Sequence, residues 1–180
     1  MNTGSKKSGF TLLEVMVVVG IMALLAGMLL GGLSAAKRRA RKAQAKRDID
    51  QIVTAWNAYY TDYKHFPDSG PGNSFKLTEM DNDAIRILQG NYAGSGYIEK
   101  NPRKTKYLDF HKKYTESEGG GNGMRDPWGN IYRIALDEEP YDGIVDAAGV
   151  KGLHHSAAAW SIGPDGVDET ADDIHSWDKR

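Results

Sequence analysis

Five carboxylates fall within nine positions near the end of the chain: Asp165, Asp168, Glu169, Asp172 and Asp173, with Gly163 and Gly166 at the turns. Like charges at this density repel, and a hard cation sharing their oxygens relieves the repulsion. Calcium accepts roughly six to eight such ligands in flexible geometry. The spacing is not that of an EF-hand, which alternates its acidic positions and closes on a glutamate. An acidic surface loop without metal is the competing reading. At the opposite end, Glu14 opens a run, residues 15–33, of 19 positions without a charge. An ionised carboxylate just inside such a run costs about 2.5–3.5 kcal/mol even on an insertion scale. It asks for a cationic partner.

The element that must carry Glu14 is a helix of membrane length. At about 1.5 Å of rise per residue, residues 15–33 span roughly 28 Å, close to the hydrocarbon thickness of a bilayer. Two other readings fit the same run. A secretory signal peptide would take Lys6 and Lys7 as its basic start and Ser34-Ala35-Ala36 as its cleavage site, but its apolar region normally runs about 7–15 residues. A plain signal anchor leaves Glu14 unexplained. A lipoprotein is excluded, because the chain has no cysteine to acylate. Positions 10 and 14 are i and i+4, which on a helix share one face.

Lys6, Lys7, Gly9, Phe10, Thr11, Leu12, Leu13 and Glu14 resemble the class III signal sequence of type IV pilins and type II secretion pseudopilins. The resemblance implies that a prepilin peptidase cuts after Gly9 on the cytoplasmic face and that Phe10, the new amino terminus, is N-methylated. It further implies that Glu14 meets the terminal amine of a neighbouring subunit in a filament. Orientation is in conflict with simple charge counting. Lys37, Arg38, Arg39, Arg41, Lys42, Lys46 and Arg47 follow the run, and by their number would hold that side in the cytoplasm. The resemblance places it outside, because cleavage at Gly9 requires a cytoplasmic leader. No aromatic side chain interrupts the basic cluster before Trp56, so it reads as a solvated or lipid-headgroup face and requires no nucleic acid.

Beyond the run the helix is expected to continue. Ile49, Ile52, Val53, Trp56, Tyr59, Tyr60 and Tyr63 recur at three- and four-residue spacing, an apolar stripe, while Asp48, Asp50, Gln51, Asn57 and Asp62 would face water. Alanines bridge the two parts, and Phe66-Pro67 ends the helix, since a residue before proline is pushed out of helical geometry. The expected organisation is a leader over 1–9, a transmembrane or filament-core helix over 10–33, an amphipathic continuation over 34–66, and a periplasmic domain over 67–180. Residues 68–79 read as loop. Residues 83–88 read as a short helix capped by Asn82. The segment 107–110 is either a brief strand or an extended loop, and 119–123 is a glycine turn. Strands are expected over 131–136, 144–145 and 157–162. One long helix followed by strands gives an α+β fold with a small antiparallel sheet.

Composition narrows the function. The net charge is −1, yet residues 137–180 hold eleven acidic side chains against Lys151, Lys179 and Arg180. Without cysteine, an extracytoplasmic domain must be held by its core or by a metal. No cysteine nucleophile, Gly-x-Ser-x-Gly elbow, phosphate-binding loop or His-Glu-x-x-His motif is present, so no enzyme is expected. His154 and His155 are adjacent, and adjacent side chains on an extended segment point apart; they read as loop.

The segment Asp126-Pro127-Trp128-Gly129-Asn130-Ile131-Tyr132 is similar to the turn and strand of the major pseudopilins of type II secretion, with Trp128 and Tyr132 docking between sheet and helix. Residues 160–177 are similar to their calcium loop. Carried over by position, Asp165, Asp172 and Asp173 would be carboxylate ligands, with carbonyls near Ser161 and Thr170 completing the shell; Asp168 and Glu169 would stay solvated. Trp160 and Trp177 would clamp the loop. The resemblance is weakest over 67–125. It implies a single-pass inner-membrane subunit, extracted into a homopolymeric filament with minor pseudopilins on an inner-membrane assembly platform. A surface pilin for adhesion, motility or DNA uptake is the alternative, and a monomeric membrane-anchored binding domain a third reading.

Overall fold

The computed structural model describes residues 10–67, 77–90, 100–109, 123–138 and 141–178, with the side chains of 28–32 outside that description. It divides into two compact units, Met1–Arg41 and Lys42–Arg180. Helix α1 (Leu12–Tyr63) begins in the first and ends in the second. Within the first unit Phe10, Leu12, Leu13, Met16, Met22 and Leu24 are exposed. Among the described residues no helix is long and apolar enough to cross a membrane; the uncharged run over 15–33 includes 28–32. The expected leader, 1–9, lies outside the described residues.

In the second unit the predicted stripe becomes the core. Ile49, Ile52, Trp56 and Tyr59 are fully buried, and Val53, Tyr60 and Tyr63 pack against them. Helix α1 stops at Tyr63, three residues before the expected end at Phe66. Lys64 takes φ 61° and donates its N–H to the Tyr60 carbonyl at 2.7 Å. This left-handed cap ends the helix before Pro67 can act.

Helix α2 (Asn82–Gln89) buries Ala84, Ile85, Ile87 and Leu88. Its cap is Asp81, not Asn82: Asp81 is extended, and its Oδ1 accepts from Asp83 N at 3.0 Å and Ala84 N at 2.9 Å. Gly90 closes the helix at φ 63°, and a Cβ there would stand 2.6 Å from the Lys104 carbonyl oxygen. The undecided segment around Tyr107 is no strand over its described part, and Phe110 lies outside the description, as do residues 119–122. Tyr107 N donates to the Leu88 carbonyl at 2.8 Å, and ahead of it Asn101, fully buried, accepts from Tyr63 Oη at 2.7 Å and donates to the Ile87 and Thr105 carbonyls.

The main sheet orders β1 (Arg133–Leu136), β4 (Ala157–Ser161) and β5 (Ile174–His175), all antiparallel. A second ladder pairs β2 (Val145–Ala147) with β3 (Val150–Leu153). Every residue of β4 is buried, and the period of two divides it. Ala157 and Ala159 join the helix core, whereas Ala158 and Trp160 join a second cluster with Val145, Ala147 and Ile162. Along β1, Met80 N donates to Tyr132 O at 2.8 Å and Ile134 N to Thr78 O at 2.9 Å, so residues 78–80 cover that edge.

Two side chains expected in solvent are engaged. Asp48 accepts from Tyr132 Oη at 2.9 Å across 84 residues of sequence, and Lys46 donates to the carbonyls of His175 and Ser176. Tyr132 is fully buried and Trp128 half-buried against the helix core, as the turn motif implied. Tyr132→Phe is expected to cost about 1.5–3 kcal/mol, the range for a hydrogen bond to a charged acceptor. A lower urea midpoint at unchanged slope would register it.

Candidate cation loop and amino-terminal motif

The carboxyl-terminal loop follows β4 directly, so sheet pairing sets where it starts. Ser161, the last residue of β4, lies opposite Ile174 in the ladder and is fully buried. From there Gly163 (φ +67°) and Gly166 (φ +70°) turn the chain around Asp165. Asp165, Asp172 and Asp173 each bring one carboxylate oxygen to within 4.8 Å of the others. Two oxygens each about 2.3–2.6 Å from one calcium ion stand at most about 4.6–5.2 Å apart, so this spacing admits one ion, and three hard anionic donors suit it. The donor set fits.

Thr170 organises the same group. Its hydroxyl lies 2.9 Å from Asp172 Oδ1 and 3.2 Å from Asp173 Oδ1, and its N–H donates to Asp173 Oδ2. That hydroxyl is the largest cause holding the Asp172 carboxyl below its ordinary pKa, so the group stays ionised. The Thr170 carbonyl accepts from Asp173 N at 3.3 Å. The Ser161 hydroxyl donates to Asp126 Oδ2 at 2.6 Å and accepts from Gly163 N at 3.2 Å. Asp168 is not merely solvated: it accepts from Trp160 Nε1 at 2.8 Å. Glu169 is exposed, as are His154 and His155. Trp160 and Trp177 meet edge to face at 6.2 Å, and His175 stacks on Trp177 at 4.6 Å, which closes the loop as the clamp reading anticipated.

Sequence reasoning missed Asp126. It is 6 % exposed and accepts from Trp128 N, Asn130 N and Ser161 Oγ. An aspartate opening a proline turn was the available signal, since such carboxylates bind backbone two residues on.

At the amino-terminal end, Phe10 and Thr11 precede helix α1, so Phe10 does not share a helical face with Glu14. Instead Glu14 N donates to Thr11 Oγ1 at 3.3 Å and Thr11 N to Glu14 Oε2 at 3.5 Å. This is a reciprocal capping box, announced by Thr-x-x-Glu in the sequence. Phe10 itself is 83 % exposed. Gly9 lies outside the described residues.

Residues 4–30 match the family described as a prokaryotic N-terminal methylation motif. The type II secretion system core protein G of Escherichia coli is 30 % identical over 177 residues, which is 98 % of this chain and 95 % of that protein. The chain belongs to the type II secretion system core protein G family. Core protein G of Vibrio cholerae is 29 % identical over 172 residues, 96 % of this chain and 92 % of its own length. That of Pectobacterium carotovorum is 28 % identical over 175 residues, covering 97 % and 87 %. The aligned stretch takes in nearly the whole chain, residues 67–125 included. No solved structure matches the chain.

Proposed function

We propose that this chain is the repeating structural subunit of a type II secretion pseudopilus, held in the membrane by its amino-terminal segment and carrying its second unit in the periplasm. The 30 % identity to core protein G along 98 % of the chain, together with the methylation motif over residues 4–30, supports this reading. The motif alone suits a surface pilin as well; relatives aligned along the whole chain favour the secretion filament. The role is structural, not catalytic.

A prepilin peptidase cuts between Gly9 and Phe10 and the Phe10 amine is methylated. In the filament, Glu14 of one subunit meets that amine on the next, so two charges within the apolar bundle neutralise each other. The exposed apolar side chains of the first unit supply the bundle's packing surface. Minor pseudopilins and an inner-membrane platform start and feed the polymer. Calcium, held by Asp165, Asp172 and Asp173, stiffens the carboxyl-terminal loop of a domain that has no disulfide.

Amino-terminal mass spectrometry of cell-derived protein is expected to find N-methylated Phe10 as the first residue. Material beginning at Met1 or at Lys37 would overturn the processing and the polymer together. Deleting the gene is expected to leave exported proteins in the periplasm.

A further inference from the structure

Asn130 stands at the base of the acidic loop although it belongs to the turn before β1. Its backbone N–H is fixed by Asp126 Oδ1 at 2.9 Å, and its side-chain Nδ2 donates to the Gly163 carbonyl at 2.7 Å. The Gly163 N–H is held from the other side, by Ser161 Oγ at 3.2 Å, and that hydroxyl is anchored on Asp126. Both peptide groups of Gly163 are thus tied to one buried carboxylate through two short side chains. On its remaining side Gly163 lies against Asp172. A Cβ at Gly163 would fall 2.6 Å from Asp172 Oδ2 and 2.8 Å from the Asp172 carbonyl oxygen. The Asp172 carboxylate therefore rests on the glycine that Asn130 pins, and Asp165 N reaches the same Oδ2 at 3.4 Å.

We infer that Asn130 is a positioning residue for the cation loop, holding Gly163 so that Asp165 and Asp172 present their oxygens to one ion. The inference rests on the calcium reading above. Outer groups that orient metal ligands commonly change affinity by about 10–100-fold when removed. Asn130 touches no carboxylate of the Asp165, Asp172, Asp173 set in this geometry; it acts through the Gly163 peptide, which sets both how far Asp172 stands from Asp165 and the direction its carboxylate faces.

The test uses the full-length chain in detergent and calcium chloride, with the dissociation constant measured calorimetrically at a temperature well below melting. Asn130→Ala is expected to weaken calcium binding by roughly 10-fold or more. A merely structural role would lower the melting temperature in chelator and leave the dissociation constant unchanged. Ser161→Ala, which releases the Gly163 N–H, is the second variant and is expected to shift affinity in the same direction; it decides the question if Asn130→Ala does not fold. Wild type that binds calcium alongside folded variants of equal affinity overturns the positioning role. Wild type that binds no calcium overturns the metal reading instead, and this inference with it.

Discussion

Glu14→Ala is expected to be cut and methylated like the native chain and yet to build no filaments. On the proposed pairing, an ammonium at Phe10 left facing an apolar bundle without its counter-charge would be a buried pair with one member removed, a change of about 3–5 kcal/mol at each contact. Converted at about 1.4 kcal/mol per decade, that weakens subunit association more than 100-fold. The capping box offers a second explanation for the same loss, because alanine also deprives Thr11 N of its acceptor. Glu14→Gln separates the two. Glutamine preserves the box, since either residue serves at the third helical position, but it carries no charge. Electron microscopy of sheared material showing normal filaments from Glu14→Gln would reject charge pairing as the determinant; absent filaments from both variants would support it.

Asp165→Ala combined with Asp172→Ala is expected to erase the response of the domain to calcium. A ligand that binds only the folded state adds about 2.7 kcal/mol when present at about 100 times its dissociation constant. For a domain of this size that is roughly 5–10 °C in melting temperature. Wild type should therefore melt higher in calcium than in chelator, and the double variant equally in both. In chelator the variant should not fall far below wild type, because it removes like charges from a crowded loop. Identical melting of wild type under the two conditions would dispose of the metal.

What could be read from the chain depended on whether its cause was local. The stripe from Ile49 to Tyr63 was legible because a period of 3.6 needs no partner to be seen, and those side chains form the core. Strand β4 was legible through its apolar run. Strand β3 was not: Val150-Lys151-Gly152-Leu153 neither alternates nor avoids glycine, and it is held by pairing with β2. Strand β5 is two residues long and exists only because Trp160 and Ser161 lie opposite. The carboxylates of the loop were visible as composition. Their support was not, since Asp126 and Ser161 are brought together across 35 positions. The cap on α2 slipped by one residue because Asp81 and Asn82 are both good caps and only backbone geometry chooses.

The borders of the main sheet bear on the proposed filament, in which copies of the chain would stand shoulder to shoulder. One border is a strand of two residues whose His175 carbonyl is held by Lys46; the other is covered over the start of β1 by residues 78–80. Among the described residues neither offers a long stretch of bare main chain on which a foreign strand could template itself. In that filament, crowded subunits would have little sheet edge through which to stick in an irreversible, amyloid-like way.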